Sequence, residues 1–160
     1  MMPEPAEPSL AERARRLVPG AGSGALATVS ARHPGHPFAS LMLHAADGQG
    51  RPLFLISSLA VHTRNLQADP RASFLVADPE AAADPLAAGR VTLLGQARRL
   101  DPTDVDKARA LYLARHPAAA AWVDFGDFAF WRLEIDEVYM VGGFGVMGWV
   151  TAESYATAAP

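Results

Sequence analysis

The feature that most limits what this chain can become is its β texture. Six segments between residues 24 and 141 read as strands: "GALATVSA" (24–31), "PFASLMLHA" (37–45), "PLFLISS" (52–58), "RASFLVAD" (71–78), "RVTLLGQARRL" (90–100) and "DFAFWRLEIDEVYMV" (127–141). Each is short, apolar and bounded by turn residues. "RHPGHP" and "DGQG" lie between the first three segments. Both are tight-turn chemistry, which predicts hairpins and antiparallel pairing. In the last segment Ala129, Trp131, Leu133 and Ile135 alternate with Arg132, Glu134 and Asp136. That pattern predicts one face on a core and one in water. "PLFLI" and "SFLVA" are apolar on both faces. A closed antiparallel sheet fills its interior with one face, so the other needs a cover. The chain has few helices to supply one, and a homodimer is expected.

Helix signals interrupt the strands. Ser9 and Glu12 form a capping box that opens a short helix to Leu17, ended by Pro19-Gly20. A second short helix runs from about Val61 to Ala68. A third opens at Asp101-Pro102, places Val105, Ala108, Leu111 and Tyr112 on one face, and ends at Arg115-His116-Pro117. Residues 78–89 read as an exposed, Pro-interrupted loop. No repeat or linker divides the 160 residues, so one domain is expected, with its core between about 9 and 150.

Composition narrows the function. The chain has no cysteine, which removes disulfides, thiolate metal sites and thiol nucleophiles. Net charge is −3, and thirteen of the 14 basic residues are Arg, scattered along the chain. A nucleic-acid partner is not expected. The small run Arg13, Arg15, Arg16 reads as the solvated face of the first helix. The start is acidic and Pro-rich, and no apolar stretch is long enough to span a bilayer, so a cytoplasmic protein without membrane contact is expected.

Gly143-Phe-Gly145-Val-Met-Gly148 spells G-x-G-x-x-G, the dinucleotide fingerprint. That motif needs a strand before it, a helix after it and a βαβ unit beyond. Only residues 149–160 follow, with no second strand expected, so the match is accidental. A C-terminal turn, or close backbone approach to a flat ligand or a partner chain, remains open.

The best anion site is "ISSLAVHTRNLQADP" (56–70). A strand ends in Ser57-Ser58, and His62, Thr63 and Arg64 follow at the first turn of a helix. Helix N-termini present unpaired N–H groups and partial positive charge. Hydroxyls and a forked guanidinium add donors for a phosphate. The alternative is that Ser58 or Thr63 caps the helix while Arg64 faces solvent. His33 and His36 sit in a turn, and no metal site is expected. His44 and His116 read as surface or cap residues. No nucleophile triad or paired-carboxylate site is evident among Asp124, Asp127, Glu134 and Asp136.

The order of elements, with "SSLAVHTRNLQADPRASFLV" and "GGFGVMGWV", resembles the FMN-binding split-barrel family of pyridoxamine 5′-phosphate oxidase-like proteins over about residues 9–150. Within it the chain is similar to the haem-utilisation branch, whose members carry a Ser-x-Leu-Ala-x-His-Thr-Arg-Asn-Leu segment. Val146-Met147 stand where that branch has Arg-Ala. The resemblance implies a mainly β fold, a six-stranded antiparallel Greek-key split barrel, dimeric, with FMN between protomers. It implies that Ser57, His62, Thr63 and Arg64 hold the flavin phosphate, beside the Ser58 hydroxyl that the turn itself offers as a donor. Ser40, Leu41 and Met42 would line the ring, with Trp149 beside it or across the interface. The function implied first is a flavin-dependent oxidoreductase acting on a small molecule. Haem binding on the same fold, or a non-catalytic flavin module, are the alternatives. Haem-degrading relatives use a histidine in a C-terminal extension, and this sequence has none after His116.

Overall fold

The computed structural model describes residues 6–160. The elements run α1 (Leu10–Gly20), β1 (Ser23–Val29), β2 (Pro37–Leu43), β3 (Ala45–Ala46), β4 (Pro52–Ser57), α2 (Val61–Ala68), β5 (Arg71–Ala77), β6 (Arg90–Arg99), α3 (Pro102–Arg115), β7 (Phe128–Val141), β8 (Met147–Thr151) and α4 (Ala152–Thr157). The eight strands form one antiparallel sheet in the order β2-β1-β5-β6-β7-β4-β3. The free edge of β7 is shared: β4 pairs with residues 128–132 and β8 with 137–141.

All six expected strands form, and the architecture is the mainly β split barrel. Two strands were not foreseen. Ala45–Ala46 is a two-residue continuation past His44. The second is β8, which overturns the expectation of no strand after the glycines. Gly143 and Gly145 adopt φ of +119° and +76°, turning the chain so that 147–151 returns along β7. Within the chain this loop lies close to α1: a Cβ at Gly148 would lie 3.0 Å from Leu10, and one at Gly142 would lie 3.4 Å from Arg13.

The inner face of the curled sheet carries the core. Leu26, Phe54, Phe74, Val76, Leu93 and Leu133 are buried there with Leu17 and Val18 of α1, Leu66 of α2 and Tyr155 of α4. Burying each large side chain contributes about 1.5–3 kcal/mol. The capping box of α1 is present in both directions, at 2.7 and 3.2 Å. Arg15 is not on a solvated face: it is 5% exposed and donates to the Gly48 carbonyl.

The apolar outer faces of β4 and β5 have different fates. Leu53 and Leu55 of β4 pack with Phe130 under α3, against Ala108 and Tyr112. The chain therefore covers that face itself, and this half of the argument for a partner falls. The outer face of β5 stays open. Register aligns Leu41, Ala25, Leu75, Thr92, Tyr139 and Trp149 in one row across six strands. Leu41 is 84%, Leu75 43% and Trp149 59% exposed.

The alternation expected in β7 holds from Ala129 through Trp131 and Leu133 to Ile135, then shifts at a bulge opposite Leu94/Gly95. Past it, Val138 and Met140 face the core. On the other side Arg132 and Glu134 are not simply solvated. Arg132 pairs with Glu134 and Asp104, and Arg51 bridges Asp47 and Glu134. Among the described residues no helix is long and apolar enough to cross a membrane.

Candidate functional site

The turn after β4 is built by its own backbone. Ala60 N–H donates to the Ser57 carbonyl, and Ser58 N–H to the Asp127 carbonyl. Thr63 is buried, and its hydroxyl also donates to the Ser57 carbonyl, at 2.6 Å. Asn65 is buried too. Its amide donates to Thr28 and its carbonyl oxygen accepts from Ala31 N–H, which locks α2 onto the end of β1.

These contacts sort the expected phosphate ligands. Thr63 is committed to the backbone. The Ser57 hydroxyl donates to Asp127 Oδ2 at 2.5 Å and accepts from Leu59 N–H. His62 is half-buried, and burial pushes its pKa below the ordinary value. Ser58 and Arg64 remain exposed. Arg64 makes no ion pair with any described residue. The N-cap of α2 is Ala60, with no side-chain cap, so the first-turn N–H groups have no side-chain acceptor there. Neither Ser58 nor Thr63 is the cap. Exposed Leu59 and Val61 frame this polar point. The chemistry offered is an open cationic shelf with apolar edges.

Asp127 is the residue the sequence reading missed. It was seen among scattered acids, and nothing in the spacing shows that it meets Ser57. The pairing of Ser57 with Phe128 in the β4–β7 ladder brings it there.

The β2 segment divides. Ser40 and Met42 turn inward, opposite Leu26 and Gly24, while Leu41 projects outward. Because β2 ends the sheet, the backbone groups on its far side have no strand partner. Trp149 packs its ring against Tyr139 at 4.9 Å, and β8 lies against β7, α1 and α4. A single chain does not bring Trp149 to the α2 turn.

The histidines divide as well. His44, expected at the surface or as a cap, is 0% exposed. Its Nε2 lies 2.7 Å from the Val18 carbonyl, and its ring meets Phe74 edge-on. His116 does act near a helix end, with Nε2 2.7 Å from the His44 carbonyl. No cluster of three metal-ligating side chains occurs among the described residues.

The sequence matches the family described as "CREG, beta-barrel" over residues 5–157. It is 42% identical over 133 residues to the Arabidopsis thaliana protein named non-canonical heme oxygenase HOZ, chloroplastic, covering 82% of this chain and 40% of that one. It superposes on a heme binding protein from Mycobacterium smegmatis with a TM-score of 0.90 and 41% identity, covering 96% of this chain and 62% of the other. A Clostridium acetobutylicum protein of the pyridoxinephosphate oxidase family superposes with a TM-score of 0.68 at 11% identity, which speaks for the fold alone. The chain thus spans less than two thirds of the plant and mycobacterial proteins.

Proposed function

Because the chain belongs to the CREG β-barrel family, within the FMN-binding split-barrel superfamily, we propose that it binds a planar, anionic cofactor between two copies of itself, and that this cofactor is haem. The observation that carries the reading is the shelf at α2. It offers the unpaired Arg64 guanidinium beside exposed Leu59 and Val61. That set suits a flat apolar ring with a carboxylate arm, and haem has that shape. Two relatives above 40% identity whose names specify haem support the choice.

The residues fit the group at the shelf. Arg64 would hold a propionate by charge-assisted hydrogen bonds. Leu59 and Val61 would lie against the ring, and the free edge of β2 would lie along it. Haem would supply the redox and oxygen chemistry, and the protein the binding and orientation.

The shelf is open on one side, and the exposed row from Leu41 to Trp149 gives a second copy a face to cover it. We propose the homodimer on that ground. Burying several large exposed side chains across an isologous contact is the expected gain.

FMN, the cofactor first expected, is the second reading. The uncapped start of α2 favours it, since helix N-termini suit phosphate. In that case the protein is a flavin-dependent oxidoreductase on a small molecule, with FMN carrying the electrons.

An absorbance scan from 350 to 500 nm on protein titrated with each cofactor separates the readings. Haem binding shifts the Soret band, and FMN binding perturbs the flavin bands. A protein that changes neither spectrum at micromolar concentration has neither function.

A further inference from the structure

The acidic residue at the head of the cofactor shelf has no counterpart in the phosphate-binding expectation. Asp127 Oδ2 accepts from Ser57 Oγ at 2.5 Å, and the Asp127 carbonyl accepts from Ser58 N–H. The carboxylate makes no ion pair among the described residues, whereas the neighbouring Asp124 is held by both Arg109 Nη atoms. Thr63 donates to the carbonyl of the same Ser57. The first turn of α2, Ser57 and the Asp127 carboxylate are therefore packed together.

A hydroxyl has one hydrogen to give. Ser57 gives it to Asp127, and Thr63 gives its own to the backbone. Two of the donors that a phosphate ester would use are spent. In their place stands a negative charge within one side chain of the shelf. A phosphate monoester brings nearly two negative charges to that point. A carboxylate brings one, on an arm that can settle beside Arg64.

We infer that the Asp127 carboxylate, placed beside Ser57 at the head of this turn, sets its anion preference by its charge: it disfavours a phosphate dianion and leaves a site for a singly charged carboxylate. This deepens the haem reading and rests on it. Asp127 is a specificity residue here, with no role in chemistry at the ring.

Riboflavin and FMN isolate the effect, because they share a ring and differ in the phosphate. Affinities for both, and for haem, are measured on the intact wild-type protein, Asp127→Asn and Ser57→Ala. The Asn keeps an acceptor for Ser57 and removes the charge. Two charges facing one at about 6 Å repel enough, even at the dielectric of water, for a change of about tenfold. The wild type is expected to bind FMN no more tightly than riboflavin. Asp127→Asn is expected to raise the FMN-to-riboflavin preference about tenfold and haem affinity by no more than about threefold, since one charge facing one at the same distance repels half as much. Ser57→Ala, which leaves the carboxylate in place, is expected to keep the wild-type ratio.

A wild type that prefers FMN over riboflavin by tenfold or more overturns the inference, whether or not the variants fold. An unchanged ratio in folded Asp127→Asn does the same, and haem binding then still stands. If no protein binds haem or either flavin, the cofactor reading falls and this inference with it.

Discussion

Tyr155 donates its hydroxyl hydrogen to the Gly50 carbonyl at 2.7 Å, across 105 residues of sequence. The bond pins α4 onto the turn between β3 and β4. The buried Arg15 guanidinium lies over the same ring, 5.5 Å from its centre, and donates to Gly48. Arg15 Nε has no hydrogen-bond partner among the described residues, so the aromatic face and one carbonyl carry much of the compensation for a buried cation. Burial holds the Tyr155 hydroxyl well above the ordinary tyrosine range, which keeps it a donor. Gly50 has φ +77°, and a Cβ there would stand 2.2 Å from Arg15 Nη1.

Tyr155→Phe removes the donor and leaves the Gly50 carbonyl buried without it. The expected loss is about 1–3 kcal/mol of unfolding free energy, read as a lower urea midpoint with unchanged slope. Gly50→Ala adds backbone strain and a steric conflict, and should cost more. An unchanged midpoint for Tyr155→Phe would show that α4 is not held by this bond.

His44 gives the protein an acid limit. Burial is the main cause that lowers its pKa from 6.5 to about 4, and its Nδ1 has no partner among the described residues. The Arg115 and His116 charges push in the same direction, while the Val18 carbonyl opposes them. The folded state thus binds a proton less readily than the unfolded chain. Stability is full above pH 6.5, falls as the pH drops towards 4, and levels off below. Over that window the loss from this residue is about 3 kcal/mol. Urea midpoints for wild type and His44→Phe at pH 7.5 and 5 check it. Phe cannot titrate, so its midpoint should move far less between the two.

Gly95 sits at the bulge between β6 and β7, where a Cβ would lie 1.9 Å from the Glu134 carbonyl oxygen. Backbone fills the space, so no side chain can swing away. Gly95→Ala should cost about 2–4 kcal/mol or shift the register of β7. A shift would also disturb the Arg132–Glu134–Arg51 network. Amide exchange of residues 131–138 reports the difference.

Arg64 is exposed and makes no ion pair among the described residues, so Arg64→Ala should leave stability within about 0.5 kcal/mol. If it holds a propionate, haem affinity falls by about 1.5–3 kcal/mol. Haem dimethyl ester, whose propionates are blocked, should bind both proteins alike. Equal losses for the two ligands would take Arg64 off the anion.

What the sequence made legible was local. The strands, the capping box, α3 and the α2 turn each rest on periodicity or on a few adjacent residues. What it hid depends on pairs far apart in the chain. Asp127 reaches Ser57 across 70 residues, and His44 is buried because Val18, Phe74 and His116 converge on it. Arg15 looked solvated because its neighbours Arg13 and Arg16 are basic, yet Tyr155 covers it. β8 was missed because three glycines suppress strand propensity just where the turn needs positive φ. The double-sided apolar pattern of β4 was read correctly as needing a cover, and the nature of that cover was invisible until α3 folded over it.

The remaining uncovered face makes the last prediction. Leu75 lies in the row that links Leu41 to Trp149, flanked by Ala25 and Thr92, with no helix over it. An exposed apolar row of this length is a liability in a monomer and an asset in a dimer. Placing a charge at its centre leaves the inner face untouched but forces each copy to bury an unpaired carboxylate. Leu75→Asp should therefore fold with a near-native melting curve and run at the 17.0 kDa chain mass in light scattering. Wild type should run at twice that. If the cofactor is closed in by the second copy, the variant should also lose most of its haem affinity despite an intact Arg64. A wild type that is already monomeric at micromolar concentration, and binds haem as such, would leave the row without a partner and the shelf complete in one chain.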